Sequence, residues 1–166
     1  MNRKAQEEMV GFVMIVVIVS VILVILLAIF IRQPANGEGD SRESYQFLES
    51  AMEYTSNCAV SYEPDYSRLG ELMEQCYSGG KLCTSGKEPC NVLNETLRNM
   101  LEASFLVSEK SEIKGYEFKT EYIKNGTAPK EIIFIKKGSC SYNVRGSDIP
   151  LDAFGGVITS SLKLCF

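Results

Sequence analysis

Residues 10–31 of this 166-residue chain, VGFVMIVVIVSVILVILLAIFI, decide how the molecule is organised. Twenty of these 22 residues are apolar, and the two exceptions are Gly11 and Ser20. A helix of this length measures about 33 Å, which is enough to cross the roughly 30 Å hydrocarbon core of a bilayer. Because apolar residues lie on every side of such a helix, the run predicts a transmembrane helix rather than a helix of a soluble core.

A cleavable secretory signal is the alternative interpretation of this run. The apolar region of such a signal is usually about 7–15 residues long and ends at small residues where the signal is cut. The run here is longer, and Ile29-Phe30-Ile31-Arg32 offers no such site. We therefore expect the helix to be retained as the anchor of the residues that follow it.

The composition of the remaining residues predicts one small domain. The whole chain is 45% hydrophobic. Outside residues 10–31 the fraction is roughly 38%, below the about 45–50% of typical globular proteins. About 130 residues follow the run, which excludes a multi-domain enzyme and a polytopic transporter. The chain has no histidine, so histidine-based catalysis is excluded, and its net charge of −4 argues against nucleic acid as a partner.

The cysteines predict disulfides in an exported domain. There are six, an even number, and they all follow the apolar run. They are Cys58, Cys76, Cys83, Cys90, Cys140 and Cys165. Zinc ligands are more often paired at spacings of about two to four residues, so the observed spacing favours up to three disulfides over a metal. We favour a pair between Cys140 and Cys165, which flank a long predicted loop at residues 146–156, with the other four joining the helical part.

Two N-glycosylation patterns also follow the run, at Asn94-Glu95-Thr96 and Asn125-Gly126-Thr127. Such triplets also arise by chance, so each is weak support when taken alone. Basic residues flank the apolar run on both sides, so the positive charges orient the helix only slightly. The cysteines and the two patterns together predict that the C-terminal part is exported.

Three helices are predicted after a linker at residues 34–40, where one proline and two glycines oppose helix continuation. Apolar residues recur at helical spacing over residues 41–58, 67–78 and 91–105. Gly79-Gly80 ends the second of these helices, because glycine favours the left-handed conformation of a helix C-terminus.

The hydrophobic pattern then changes from helical spacing to alternation, which predicts strands. The predicted strands cover residues 116–122, 131–135, 140–144 and 158–164. Short connections between consecutive strands favour an antiparallel meander over parallel βαβ units. Residues 41–166 are therefore predicted to form a small disulfide-rich α+β domain of about three helices and a four-stranded antiparallel sheet.

No arrangement of residues predicts catalysis, a cofactor or a metal site. Glu49 and Glu53 share one face of a predicted helix, as do Glu71 and Glu74, and carboxylates in such positions are usually solvated. No glycine-rich phosphate loop follows a predicted strand, since Gly155-Gly156 fits a turn. We therefore expect a protein that is not an enzyme.

The residues before the apolar run are Asn2-Arg3-Lys4-Ala5-Gln6-Glu7-Glu8-Met9. They place a short basic leader, a small residue, a glutamine and two acidic residues directly before an uninterrupted apolar helix. This order resembles the class III signal peptide of archaeal type IV pilin-like proteins. The resemblance covers residues 1–33, and the rest of the chain matches that family only in general plan.

The resemblance implies a structural or assembly protein of the cell surface that a prepilin peptidase cuts on the cytoplasmic side. Carried over by position, the cut falls between Ala5 and Gln6. Residues 1–5 are then a leader, and residues 6–33 are a retained transmembrane stem with its N-terminus cytoplasmic and the following domain extracellular. The stem would contact membrane lipid and later other pilin-like subunits in a filament. The new amine at Gln6 and the carboxylates of Glu7 and Glu8 would be its charged assembly contacts.

The chain also departs from the family pattern. The fifth mature position, which commonly holds a glutamate, is Val10, and the linker at residues 34–40 interrupts the stem. Together with the six cysteines, these differences favour a minor pilin or pseudopilin over a main filament subunit. The alternative hypothesis is a single-pass membrane-anchored extracytoplasmic binding domain, separated from its anchor by the linker.

Overall fold

A computed structural model of the chain describes residues 3–31, 42–62, 64–141 and 143–166. Within the first helix, side chains are described from residue 13 to residue 27. The predicted linker at residues 34–40 lies outside the described residues, as do the first two residues of the predicted leader. The chain divides into two compact units, Met1–Glu38 and Gly39–Phe166, and the second unit is called the head below.

The described part of the first unit is one helix, α1, which spans Arg3–Ile31 and has 29 residues. It begins inside the predicted leader and includes the whole apolar run. The hydroxyl of Ser20 donates a 2.8 Å hydrogen bond to the Val16 carbonyl, so this polar group is satisfied within the helix itself. Counting only residues with described side chains, no helix is long and apolar enough to cross a membrane.

The head, over its described residues, contains three helices, a two-stranded sheet and a four-stranded sheet. The helices are α2 (Arg42–Met52), α3 (Leu69–Ser78) and α4 (Pro89–Ser104). The strands are β1 (Thr55–Ala59), β2 (Tyr66–Arg68), β3 (Gly115–Ile123), β4 (Lys130–Gly138), β5 (Val144–Ala153) and β6 (Gly156–Cys165). The predicted α+β class with a four-stranded antiparallel sheet is confirmed.

The order of strands in the larger sheet is β4-β3-β6-β5, and every neighbouring pair is antiparallel. The predicted meander is therefore wrong, because the sheet consists of two hairpins joined through a central pair of β3 and β6. Burial explains this order. These two strands carry the large apolar side chains at alternate positions, so they occupy the centre and leave β4 and β5 at the edges.

The third strand of the large sheet is displaced from its prediction at residues 140–144. Strand β5 begins at Val144 and continues through the stretch predicted to be a loop, where Gly146 and Pro150 oppose strand structure. An edge strand tolerates proline because one side of its backbone needs no partner in the sheet. Tyr142, which is part of the predicted strand, lies outside the described residues.

The first predicted helix is also too long, because α2 ends at Met52 and Cys58 lies in β1. Hydrogen bonds made by the Ser56 side chain stabilise the two-stranded sheet of β1 and β2. The buried Ser56 hydroxyl donates to the Ser67 carbonyl at 2.7 Å and accepts from the Cys58 amide at 3.1 Å. Ser67 therefore lies in β2, and α3 begins two residues later. The predicted stop at Gly79 is confirmed, with φ of 69°.

The helices cover one face of the large sheet, and the core lies between the two layers. The inward-facing side chains include Tyr116, Phe118 and Leu162, each almost fully buried. The opposite face is charged. On this face Lys136 pairs with Glu117 across neighbouring strands at 2.6 Å. Because successive side chains of β3 point to opposite faces of the sheet, one face is buried under the helices and the other is exposed to solvent.

Gly115 and Gly138 lie opposite each other in neighbouring strands, and their close approach leaves no room for a side chain at Gly138. Gly138 has φ of 75°, and a Cβ there would overlap the Lys114 carbonyl oxygen and approach Gly115 Cα to 2.8 Å. Gly138→Ala is expected to lower the free energy of unfolding by about 3 kcal/mol or more. Gly86→Ala is the control, since Gly86 has φ of 79° but open space around it. The Gly86→Ala control should lower the free energy of unfolding by only about 1–2 kcal/mol. Equal losses in urea denaturation would contradict the packing argument.

The buried hydroxyl of Tyr116 is expected to make the stability of the head depend on pH in the alkaline range. Burial raises the pKa of its hydroxyl above the ordinary value of 10.0. The unfolded chain therefore releases this proton first. The stabilising contribution is complete below pH 10 and is lost as the pH rises through the folded pKa. Tyr116→Phe should flatten the decline in melting temperature above pH 10 relative to the wild type. An unchanged decline in Tyr116→Phe would contradict this account.

Candidate functional site

The predicted processing and assembly residues all lie in the first turns of α1. Ala5, Gln6, Glu7 and Glu8 have helical backbone, and their side chains lie outside the described part of the chain. The junction between Ala5 and Gln6 is thus within a helix. A peptidase that acts on extended backbone can reach it only after the first turn has frayed, which is the least stable part of any helix.

The described side chains of α1 form an exposed apolar surface over residues 13–27. Fourteen large apolar side chains lie in this stretch, and each of them is at least 47% exposed. Water-soluble monomers rarely expose apolar patches beyond a few hundred Å², and larger patches mark contacts with protein or membrane. This surface is the strongest functional signal among the described residues.

The cysteines form three disulfides, and none of the described cysteines is free. The predicted pair between Cys140 and Cys165 is confirmed, with the two Cα atoms 5.0 Å apart. The other four cysteines pair with one another as Cys58–Cys83, which joins β1 to the loop between α3 and α4, and as Cys76–Cys90, so only the second pair joins two helices as predicted. The second of these connects α3 to the first turn of α4.

The two glycosylation patterns occupy different backbone structures. Asn94 is exposed in the interior of α4, and the next buried residue along the helix is Leu97. Asn125 is exposed in the turn that joins β3 to β4. The sequence alone gave no reason to rank the two, whereas the backbone separates a helical position from a turn.

A groove at one end of the large sheet was missed by the sequence reasoning. It lies beside the turns that join β3 to β4 and β5 to β6, has a volume of about 830 Å³, and is called the end groove. This volume is within the about 300–1,000 Å³ of small-molecule sites. Its lining residues are Ile123, Lys124, Asn125, Asp152, Ala153, Phe154, Gly155, Gly156, Val157 and Thr159.

Three aromatic rings support one wall of the end groove. The ring of Tyr77 lies 4.2 Å from that of Tyr122 and 5.6 Å from that of Phe154, measured between centroids. The Tyr122 hydroxyl donates a 3.0 Å hydrogen bond to the Phe154 carbonyl. Lys130 Nζ lies 4.7 Å from the centre of the Tyr77 ring, a cation–π contact. These contacts hold the turn between β5 and β6 in place.

Phe154 itself adopts a left-handed backbone conformation with φ of 52°, and its side chain is 51% exposed. It is the first residue of a two-residue hairpin turn whose second residue, Gly155, has φ of 70°. Such turns favour Asn-Gly, because a bulky residue at positive φ costs roughly 1–2 kcal/mol. The sequence signal was the aromatic residue directly before Gly155-Gly156, which an interpretation as a plain turn overlooked.

The predicted carboxylate pairs act as surface contacts. A Glu71 carboxylate oxygen accepts the Arg68 backbone N–H at 3.2 Å, which caps α3. Glu53 forms an exposed ion pair with Arg68 at 2.7 Å. No group of three or more Cys, Asp or Glu side chains that could hold a metal occurs among the described residues. In the end groove the described carboxylate is that of Asp152.

Comparison of the chain with protein-family models, with curated proteins and with solved structures found no match.

Proposed function

We propose that this chain is a pilin-like structural or assembly protein of the cell surface, anchored by its N-terminal helix. One observation carries the proposal. An apolar run of 22 residues, interrupted only by Gly11 and Ser20, begins at Val10, four residues beyond Gln6 of the proposed Ala5–Gln6 junction. A processing site before the apolar helix, rather than after it, leaves the helix on the mature protein for use in assembly.

The exposed surface of α1 supports this function through its energetics. Covering one large aliphatic side chain gains about 1.5–3 kcal/mol relative to water. With 14 such side chains exposed, transfer of the helix into water costs on the order of tens of kcal/mol. Lipid tails and neighbouring apolar helices satisfy this surface equally well, because both provide apolar contact without hydrogen-bonding groups. Movement from a membrane into a filament core then exchanges one apolar environment for another.

Charges at the start of the helix support ordered assembly. Removal of residues 1–5 leaves a positive amine at Gln6 next to Glu7 and Glu8. In an apolar surrounding the attraction between an amine and a carboxylate is far stronger than in water, so neighbouring subunits would align where these charges meet. Val10 replaces the glutamate common at the fifth mature position, which moves the carboxylates toward the amine.

The disulfides of the head favour the interpretation of this chain as a minor pilin or pseudopilin rather than as a main filament subunit. Three disulfides within one head give it an internal stability that does not depend on contacts between subunits. They also fit an extracellular location, because disulfides persist in oxidising compartments.

Processing at the proposed junction can be tested with two matched alanine substitutions in α1. Ala5→Leu places a large residue at the junction and is expected to leave residues 1–5 on the membrane-extracted protein. Ala28→Leu, the same substitution near the other end of the helix, should be processed as in the wild type. Intact mass measurement distinguishes the two products. Retention of residues 1–5 in the wild type from cells that contain the peptidase would contradict the proposal.

A membrane-anchored binding domain is the alternative, and the end groove is the observation that favours it. Phe154 at this groove has an unfavourable backbone conformation, and such conformations cluster at sites that contact ligands. Under this alternative the protein stays with the cell membrane when surface filaments are sheared off. Under the assembly proposal it is recovered with the filaments.

A further inference from the structure

Asn125 lies in a turn with the geometry of an accessible modification site. The Thr127 amide donates to the Lys124 carbonyl at 3.1 Å, which closes a turn with Asn125 and Gly126 as its central residues. The Thr127 hydroxyl donates to the same carbonyl at 2.9 Å, so its lone pairs remain free to accept. Gly126 has φ of 80°, a conformation that glycine adopts without strain. The three residues of the pattern are thus exposed together outside any helix or strand.

The other pattern lacks this geometry. Asn94 lies within the 16 residues of α4, between the buried side chains of Leu93 and Leu97. The start of α4 is fixed to α3 by the disulfide between Cys76 and Cys90. Presenting Asn94 outside a helix requires part of α4 to unfold, which exposes core side chains to water. The structure therefore favours modification at Asn125 alone.

The end groove provides a place for a sugar next to Asn125. Asn125 lines this groove together with Phe154, Asp152 and Thr159. One face of a pyranose ring carries C–H groups that pack on the negative face of an aromatic ring, and its hydroxyls bond to carboxylates and hydroxyls. Phe154 provides an exposed aromatic side chain, while Asp152 and Thr159 provide the polar groups. This chemistry also gives a reason why a half-exposed phenylalanine is held at positive φ.

We propose that Asn125 carries an N-linked glycan whose first sugar lies in the end groove against Phe154. The proposal rests on the extracellular position of the head in the proposed function. The donor is an oligosaccharide joined through its anomeric carbon to a phosphate on a lipid carrier. The Asn125 amide nitrogen bonds to that carbon, the bond from the carbon to the phosphate oxygen breaks, and the lipid phosphate leaves with the electron pair. The nitrogen gives one proton to a base of the transferase, and nothing is oxidised or reduced.

Peptide mass spectrometry of the protein purified from its native cells tests the modification. The peptide containing Asn125 is expected to gain the mass of whole sugar residues, and the peptide containing Asn94 is expected to remain unmodified. An unmodified Asn125 in a sample whose three disulfides are formed overturns the inference and leaves the exported position intact. Reduced cysteines together with an unmodified Asn125 overturn both the inference and the proposed function.

The position of the first sugar is tested by melting temperatures of the full chain in detergent. The wild type is expected to melt about 4 °C above Asn125→Gln, the shift that one ring contact gives in a domain of this size. In a Phe154→Ala background this difference should fall to less than about 1 °C. Phe134→Ala is the matched control, because Phe134 is 49% exposed but does not line the groove. An undiminished difference in Phe154→Ala would overturn the placement of the sugar.

Discussion

Simultaneous replacement of Cys58 and Cys83 by alanine is expected to lower the free energy of unfolding of the head by about 3.5 kcal/mol. The two residues are separated by 25 positions, and their disulfide closes a loop that includes β2 and α3. Without it the unfolded chain gains the conformational freedom of that loop. Both cysteines are buried, so the substitution also leaves unfilled space in the core.

The pair Cys76–Cys90 provides the matched control for this experiment. Its separation is 14 positions, and both side chains are half-buried. The double alanine variant should lose about 3 kcal/mol, slightly less than the first. Denaturant unfolding of the full chain in detergent measures both losses. An unfolding midpoint in Cys58→Ala/Cys83→Ala equal to that of the wild type would contradict the view that disulfides compensate for a small core.

The second large effect is expected in α1. Val19→Asp together with Leu23→Asp places two charges near the centre of the apolar run, where each costs about 2.5–3.5 kcal/mol in a bilayer. Membrane partition of the variant should fall by roughly a thousandfold or more. Because a filament core is also apolar, incorporation into surface filaments should be lost as well.

The control for these charges is a pair of substitutions in the head. Leu82→Asp and Leu106→Asp change residues that are 56% and 77% exposed, so they add the same charge at positions already in contact with water. Sedimentation of membranes followed by alkaline extraction should find this control in the membrane fraction. Incorporation of the α1 variant into surface filaments at the level of this control would contradict the view that the apolar run packs in a filament core.

The physical origin of each element decides how much of the fold could be predicted. Helix α4 and strands β3 and β6 follow strong hydrophobic periodicity, and the alternation from Tyr116 to Tyr122 continues through the whole of β3. Strand β1 could not be predicted, because its stability depends on hydrogen bonds from Ser56 to residues near and far in the chain. Strand β5 contains Pro150 and is stabilised by its partner β6 rather than by its own sequence.

Of the candidate sites, one cysteine pair could be predicted from the sequence, whereas the end groove could not. The cysteine pairing at Cys140–Cys165 followed from sequence spacing around a predicted loop, and it remains correct although that loop is mostly strand. The end groove depends on two turns that are 29 positions apart at Asn125 and Phe154, so only the register of the sheet brings them together. The positive φ of Phe154 could not be read from composition, because this position normally excludes aromatic residues.

The chain combines an apolar helix whose surface needs a partner with a head that is stabilised from within. In the proposed function, the helix is retained after a cut before it and then serves in assembly. The most direct measurement is N-terminal mapping of the native protein in sheared surface filaments. The mature chain is expected to begin at Gln6 and to copurify with the filaments. A chain that begins at Met1, or one that begins after Arg32, would contradict the proposed function.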